Sequence, residues 1–361
     1  MAIEHCRHGI TICNSMPQGL LGWAKQELQP IFLRLATFPY FFGVETGDFP
    51  EPLGLVSDPL AMDVTAEERN TAWNWLINRT VRLIRQGLSY RHGPLRHLPM
   101  PEHLYEEQRR IFEVLFEWQN HYSDTRLKSS LSPEDLPSHL FDEMKCIIGR
   151  IWAGCCLDSG EMLYDEYNDN FEILIRLTQQ LAELKERDSG PKAKFIFEMG
   201  FMPYLYFIVL KCRRLDLRLA ALRFMPLIGH ERENLFNTKN LYYIGMRLME
   251  IEHGICLDPA RPEFPNDVDA PLPPDQCRVR SADIMDELEV RLGEDGRESE
   301  YRKVFFWIQP EAITPGFTEW VEVGPFPDAP STQASTPKSS AAVAIEQDFC
   351  SPVSVQTASA F

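Results

Sequence analysis

FMPYLYFIVLKCRRLDLRLAALRFM, residues 201–225, decides the fold. Its first half is nearly all apolar: Leu205, Tyr206, Phe207, Ile208, Val209 and Leu210 follow one another without a charge. The run passes abruptly into Lys211, Arg213 and Arg214. Asp216 then opens a second segment, in which Leu217, Ala221, Phe224 and Ile228 recur at three- to four-residue spacing. A continuous apolar run followed by that period predicts a buried helix and then an amphipathic one. The pair builds a core and carries no evident catalytic constellation.

The same period recurs on both sides of this stretch. Upstream, helices are expected over Gly19–Phe38, from Thr65 to Gly87, from Pro101 to about Tyr122, over Leu140–Cys156 and over Glu161–Arg187. In the first, Leu28, Ile31, Phe32 and Leu35 form the expected inward face, and Pro30 threatens a kink. Thr65 suits an N-cap, and Ser132 followed by Pro133 reads as another helix start. Downstream, Lys239–His253 carries Leu241, Ile244, Leu248 and Ile251, and Gly254 supplies the stop. Residues 41–60 are rich in Gly and Pro and read as loop. Ala282–Leu292 reads as a short helix, GEDGRESE as a charged turn, and VFFWI, residues 304–308, as a strand.

The expected fold is therefore all-α, with a small β element near the C-terminus. Residues 1–18 form an N-terminal extension and 19–257 the helical domain. Residues 258–281 are a Pro- and Asp-rich linker, and 282–324 a small C-terminal subdomain. Residues 325–361 are poor in large apolar side chains and are expected to be disordered.

Composition narrows the function classes. No run of eighteen apolar residues exists, so no membrane span is expected, and the N-terminus lacks a secretory pattern. The nine cysteines are odd in number and irregularly spaced, which suits reduced thiols. A formal net charge of −17 repels phosphate, so nucleic-acid binding by this chain alone is not expected.

The chemical motifs fail one by one. Cys6 and Cys13 have the spacing found within a binuclear zinc cluster, but no Cys-x-x-Cys pair or basic helix accompanies them. Glu250–His253 is a single Glu-x-x-His unit, better read as a solvated helix end with His253 favoured by the dipole. His230–Glu231 begins like a zincin motif, but Asn234 replaces the second histidine. Cys155–Cys156 reads as buried filler. No Gly-x-Ser-x-Gly elbow, phosphate loop or dinucleotide fingerprint is present. Lys211, Arg213, Arg214, Arg218 and Arg223 form the one local basic patch. They are expected to meet orphan helix carbonyls and acidic neighbours such as Asp216 on the rim of the core. The functional alternative is a docking patch or a nuclear-import signal. No catalytic, cofactor-binding or metal residue is assigned, and no cofactor is expected.

Four segments in order resemble the fungal-specific transcription factor domain, the helical region that follows the zinc cluster in many fungal regulators. They are residues 27–43, 146–175 (CIIGRIWAGCCLDSGEMLYDEYNDNFEILI), 198–238 with its Pro-Leu-aromatic run and Lys-Cys-Arg, and CRVR, 277–280, followed by RKVFFWI, 302–308. The likeness covers roughly residues 20–310 and departs from the pattern at Asn234 and in lacking the zinc cluster. It implies a nuclear transcription-regulator-like protein without catalytic residues. Such a protein would work through other regulators or co-regulators, in a homo- or heterodimer, or through an effector. Control of fungal specialised metabolism is the setting the resemblance suggests. An in-frame six-cysteine module upstream of Met1 would supply the missing DNA binding. The competing readings are a helical enzyme with a cavity among Trp73, Trp118, Trp152 and Tyr164, and a structural adaptor, with the cytoplasm as the alternative location.

Overall fold

Pro203 sits in the first turn of α7 (Met202–Lys211), where its missing N–H costs no hydrogen bond. Leu205, Ile208 and Val209 are completely buried along that helix. Cys212 then turns extended, and α8 (Leu215–Ile228) starts after a three-residue break. Its Leu217, Ala221 and Ile228 are buried, as the period requires. Pro226 lies in its last turn.

The computed structural model describes residues 2–15, 22–41, 50, 66–127, 131–187, 194–196, 200–233, 236–258, 270–292, 298–308 and 316–324. Thr65, Asn234, most of the 41–60 loop, the turn residues 293–297 and the tail 325–361 lie outside them. The described residues are mostly helical, with two small sheets. Before α7 come α1 (Ala2–Ser15), α2 (Gly22–Phe41), α3 (Ala66–Arg91), α4 (Glu102–Leu127), α5 (Leu136–Cys155), a 3-10 turn at Met162–Tyr167 and α6 (Asn168–Arg187). After α8 comes α9 (Thr238–His253). None of these helices is long and apolar enough to cross a membrane.

One apolar cluster joins α5 to α6, α7, α8 and α9 through Ile147, Phe171, Leu205, Leu222 and Met249. A second joins α1, α2, α3, α4 and α5 through Ile10, Ala36, Leu76, Leu115 and Cys146. Helix α5 serves both because it is apolar around most of its circumference: eleven of its side chains or backbone sites are buried.

Several local expectations change. Residues 2–15 form a helix whose Cys6, Ile10 and Cys13 are buried, so the extension is part of the body. Helix α2 runs through Pro30 unbroken. Its buried face is Leu33, Ala36 and Thr37, while Leu28, Ile31 and Leu35 are exposed. The helix is apolar on both sides, so periodicity did not select the face. Helix α3 continues past Gly87, which packs against Leu157, and α4 buries Leu104 while Tyr105 is exposed. Ser132 Oγ accepts the Asp135 N–H at 3.1 Å, capping the turn that leads into α5. Glu161–Arg187 is a 3-10 turn followed by α6, not one continuous helix.

Between α6 and α9 lies a minimal sheet of two-residue strands: β1 (Phe195–Ile196), β2 (Arg232–Glu233) and β3 (Phe236–Asn237). Its Glu233 is buried and accepts the N–H groups of Met202, at 2.7 Å, and His230, at 3.1 Å. This carboxylate satisfies an orphan donor at the start of α7. A Cβ on Gly200 would lie 2.6 Å from it. Gly200→Ala is therefore expected to displace the Glu233 carboxylate and destabilise the fold by about 1–3 kcal/mol, read as a lower urea midpoint at unchanged slope.

Helix α9 ends as expected. Gly254 adopts φ +63°, a left-handed conformation that costs glycine little, and its N–H bonds Glu250 O at 2.9 Å.

The C-terminal element is larger than the sequence suggests. Ala282–Leu292 is not helical: β4 (Ser281–Leu292), β5 (Glu298–Trp307) and β6 (Gly316–Val323) form an antiparallel sheet in that order. Ala282 stands opposite Phe306 and Ile284 opposite Val304; the register then shifts, so that Leu288, Val290 and Leu292 stand opposite Arg302, Glu300 and Glu298. Val304, Phe306 and Val321 pack with Val279 onto Ile244 and Leu248 of α9. This mounts one face of the sheet on the helical body.

Candidate functional site

The basic cluster that stood out in the sequence ends up inside the molecule. The break between α7 and α8 leaves the last carbonyls of α7 without helical partners. Arg218 Nε donates to Val209 O at 2.7 Å, Arg213 Nη1 to Leu210 O, and the Cys212 N–H to Ile208 O at 2.9 Å. The orphan-carbonyl expectation therefore holds for Arg213 and Arg218. The rim expectation does not, because both guanidiniums are fully buried and Lys211 is nearly so. Arg214 alone keeps the expected partner, Asp216, at 2.7 Å.

Carboxylates from distant segments balance these cations. Glu161, just before the 3-10 turn, accepts Lys211 Nζ at 2.9 Å and Arg213 Nη2 at 3.0 Å. Glu252, in the last turn of α9, accepts Arg218 Nη1 and the Val279 N–H, each at 2.6 Å, with Arg213 Nε 3.6 Å away. Arg278 meets Asp165 through both oxygens, at 2.9 and 2.7 Å, and donates to Glu161 O at 3.0 Å. Arg280 donates to Ser159 O, Ile308 O and Asp275, and its own carbonyl accepts Lys211 Nζ at 2.8 Å. Four buried cations, Lys211, Arg213, Arg218 and Arg278, thus face three carboxylates, Glu161, Asp165 and Glu252.

The electrostatics follow from burial and proximity. Burial alone would raise the Glu252 carboxyl; Arg213, Arg218 and the Val279 N–H outweigh it and hold it below the ordinary value. Burial lowers Lys211 and Arg218, partly offset by Glu161 and Glu252 respectively. His253 does not act as a dipole-stabilised cation. Burial and then Arg218, whose Nη1 lies 3.2 Å from Nε2, push it down to about 4. His92 is lowered to about 4 by burial and by Arg91, Arg280 and Lys211.

The cluster is a clamp. It ties 158–165, 209–218, the end of α9 and 275–280 together, and so fixes the chain that leads into β4. Residues 270–280, part of the stretch read as a linker, are thereby held against the helices. A docking patch or import signal built on Lys211, Arg213 and Arg218 is excluded, since a receptor cannot reach them.

The other motifs also settle into packing. Cys6 and Cys13 are buried on α1, and burial pushes the Cys6 thiol up to about 11. Among the described residues no group of three or more His, Cys, Asp or Glu side chains is placed to hold a metal ion. Cys155 and Cys156 are buried, and burial raises Cys156 to about 12. Trp73 and Trp118 lie in the first-half core with Trp152 against it, whereas Tyr164 belongs to the other core.

The described cleft lies elsewhere, between α4, α5 and α6, with a volume of about 350 Å³. Gln119, Ser123 and Arg126 form one wall, and Ile173, Arg176, Leu177 and Gln180 the other. Its floor is Glu143, which accepts Ser123 Oγ at 2.7 Å and Arg126 Nε at 2.8 Å. The hydrogen bond to Glu143 raises Arg126 above its ordinary value. The floor is thus a buried carboxylate neutralised by a half-buried arginine. Arg176 and Gln180 are exposed on the α6 wall, and Arg176 places one positive charge on its rim.

Sequence reasoning found Lys211, Arg213 and Arg218 but neither Arg278 and Arg280 nor the carboxylates that face them. Glu161, Glu252, Arg278 and Arg280 stand alone in apolar or turn contexts. The available signal was Glu252 at a core-facing position between Leu248, Met249 and Ile255. No family model, curated protein or solved structure matches the chain.

Proposed function

We propose that this chain is a transcription-regulator-like protein acting in the nucleus through protein or effector contacts of its helical body. It would work with other regulators or co-regulators, in homo- or heterodimers, without a zinc-cluster module in the chain as given. Control of fungal specialised metabolism is the setting proposed.

One observation carries this reading. Three of the four segments that resemble the fungal regulatory domain supply every clamp side chain except Glu252 and Asp275: Glu161 and Asp165 from 146–175, Lys211, Arg213 and Arg218 from 198–238, and Arg278 and Arg280 from 277–280. Most of the residues that fix the scaffold are therefore resembling ones, which is what a signature of shared architecture rather than of shared chemistry would do. The ionisable groups most prominent in the sequence are consumed in holding the fold. The cleft rimmed by Arg176 offers a place for an anionic effector.

The test is transcriptional. The full chain, fused to a foreign DNA-binding domain, is expected to change reporter expression several-fold from the matching DNA site. Unchanged expression, with the fusion present and nuclear, would count against the regulator reading.

A further inference from the structure

The edge strand β4 is built to receive a partner. Among the described residues it pairs with β5 on one side and with no strand on the other. A free edge presents a row of backbone N–H and C=O groups ready to pair with another chain. Folded proteins usually blunt such an edge, and β4 does so only in its first half, where the register shifts between Ile284 and Leu288. From Leu288 to Leu292 the ladder to β5 is regular.

That regular half is open, and β4's own side chains on one face are apolar, with Arg302, Glu300 and Glu298 of β5 beside them. Leu288, Val290 and Leu292 share the face that, nearer the body, buries Val304 and Phe306. They are themselves 47%, 53% and 72% exposed. The hairpin carries this stripe beyond the helices that cover the rest of the face.

Charge selects the occupant. Among described residues, β4 and β5 carry Asp283, Asp286, Glu287, Glu289, Glu298 and Glu300 against Arg291, Arg302 and Lys303. Glu287 is held by Lys303 at 3.1 Å and Glu289 by Arg291 at 2.9 Å, both in exposed pairs that an incoming cation can exchange. Arg291 leans inward over Tyr301 and Trp320, away from the free edge. A second β4 would bring like charges opposite one another, which is destabilising. A basic strand meets the opposite sign.

We propose that the free edge of β4 from Leu288 to Leu292 docks an extended lysine- or arginine-rich segment of a partner protein as an added strand. Its side chains would alternate: apolar ones beside Leu288, Val290 and Leu292, basic ones beside Glu287 and Glu289. This gives a partner to the protein contacts proposed above and rests on that reading for its biological role. Its test is direct binding, so a failed reporter assay would leave it standing, and the reverse.

The probe is a fluorescent peptide of alternating lysine and valine, titrated with the full chain and read by anisotropy, beside a glutamate–valine control. The lysine peptide is expected to bind, more weakly as salt rises, and the control not to. The Glu287→Lys, Glu289→Lys double variant changes exposed side chains only. It is expected to lose about tenfold in affinity for the lysine peptide and to gain the glutamate peptide, with an unchanged circular dichroism spectrum. Leu288→Ser with Leu292→Ser is expected to weaken binding of the lysine peptide. Equal binding of the two peptides by the parent chain, or lysine-peptide binding indifferent to the charge reversal, would overturn the proposal. So would a concentration-dependent dimer in sedimentation that Val290→Lys abolishes, because the edge would then belong to a second copy.

Discussion

Glu252→Ala is expected to lower stability by about 3–5 kcal/mol, a large part of the roughly 5–15 kcal/mol typical of a folded domain. The substitution leaves Arg213 and Arg218 charged and fully buried, and it orphans the Val279 N–H. Arg218 Nη2 already lacks a hydrogen-bond partner, so the site has no spare acceptor to offer. The cost measures an uncompensated buried charge rather than the worth of the pair. A companion variant separates the two: Glu252→Leu with Arg218→Met removes both charges and should cost clearly less than the sum of the single changes. Urea denaturation followed by circular dichroism reads both. A loss under about 1 kcal/mol for Glu252→Ala would show that water reaches the clamp and relieves the charge.

The second large effect is acid lability. His92 and His253 titrate at about 4 in the folded chain, against 6.5 for an unperturbed histidine. As pH falls below 6.5 the unfolded state takes up these protons first, because the folded state resists them until about 4. Stability is therefore full above 6.5 and is lost between 6.5 and 4. Two such histidines amount to roughly 3 kcal/mol or more, after discounting for their partial exposure. Glu252, held below its ordinary value, adds a further loss once pH drops through its folded value. Glu233 works the other way: burial raises it, against the N–H groups of Met202 and His230, so its protonation favours the folded state. The two histidines dominate above pH 4.5, and the urea midpoint should fall steadily from pH 7 to pH 5. His92→Gln with His253→Gln should flatten that slope. A midpoint that does not move across this range would mean that both imidazoles are protonated in the folded chain.

The sequence was most legible where helical period and end signals agree. Helices α5, α7, α8 and α9 follow from Ser132 with Pro133, from Gly254 and from the apolar runs between them. The α2 face was illegible because Leu28, Ile31 and Leu35 compete with Leu33 and Ala36 for the inside, and only the packing of α1 and α3 decides. β4 misled for a different reason. Ile284, Leu288 and Leu292 recur every four residues, which mimics a helix, because the register shift inserts extra residues into an alternating strand. The aromatic strand β5 supplies the ladder that overrides local propensity. The clamp was half legible: adjacent cations announce themselves, whereas acids scattered over 161, 165 and 252 need the fold to bring them together.

The clamp also sets an order of assembly during synthesis. Glu161 O waits for Arg278, 117 positions further on, and Glu252 waits for the Val279 N–H. While the ribosome has not yet released residue 280, Asp165 lacks its Arg278 partner and Glu252 lacks the Val279 N–H. Closing contacts of such long range is slow. A nascent chain cut short in the proline-rich stretch should consequently be a substrate for chaperones and proteases rather than a smaller working domain.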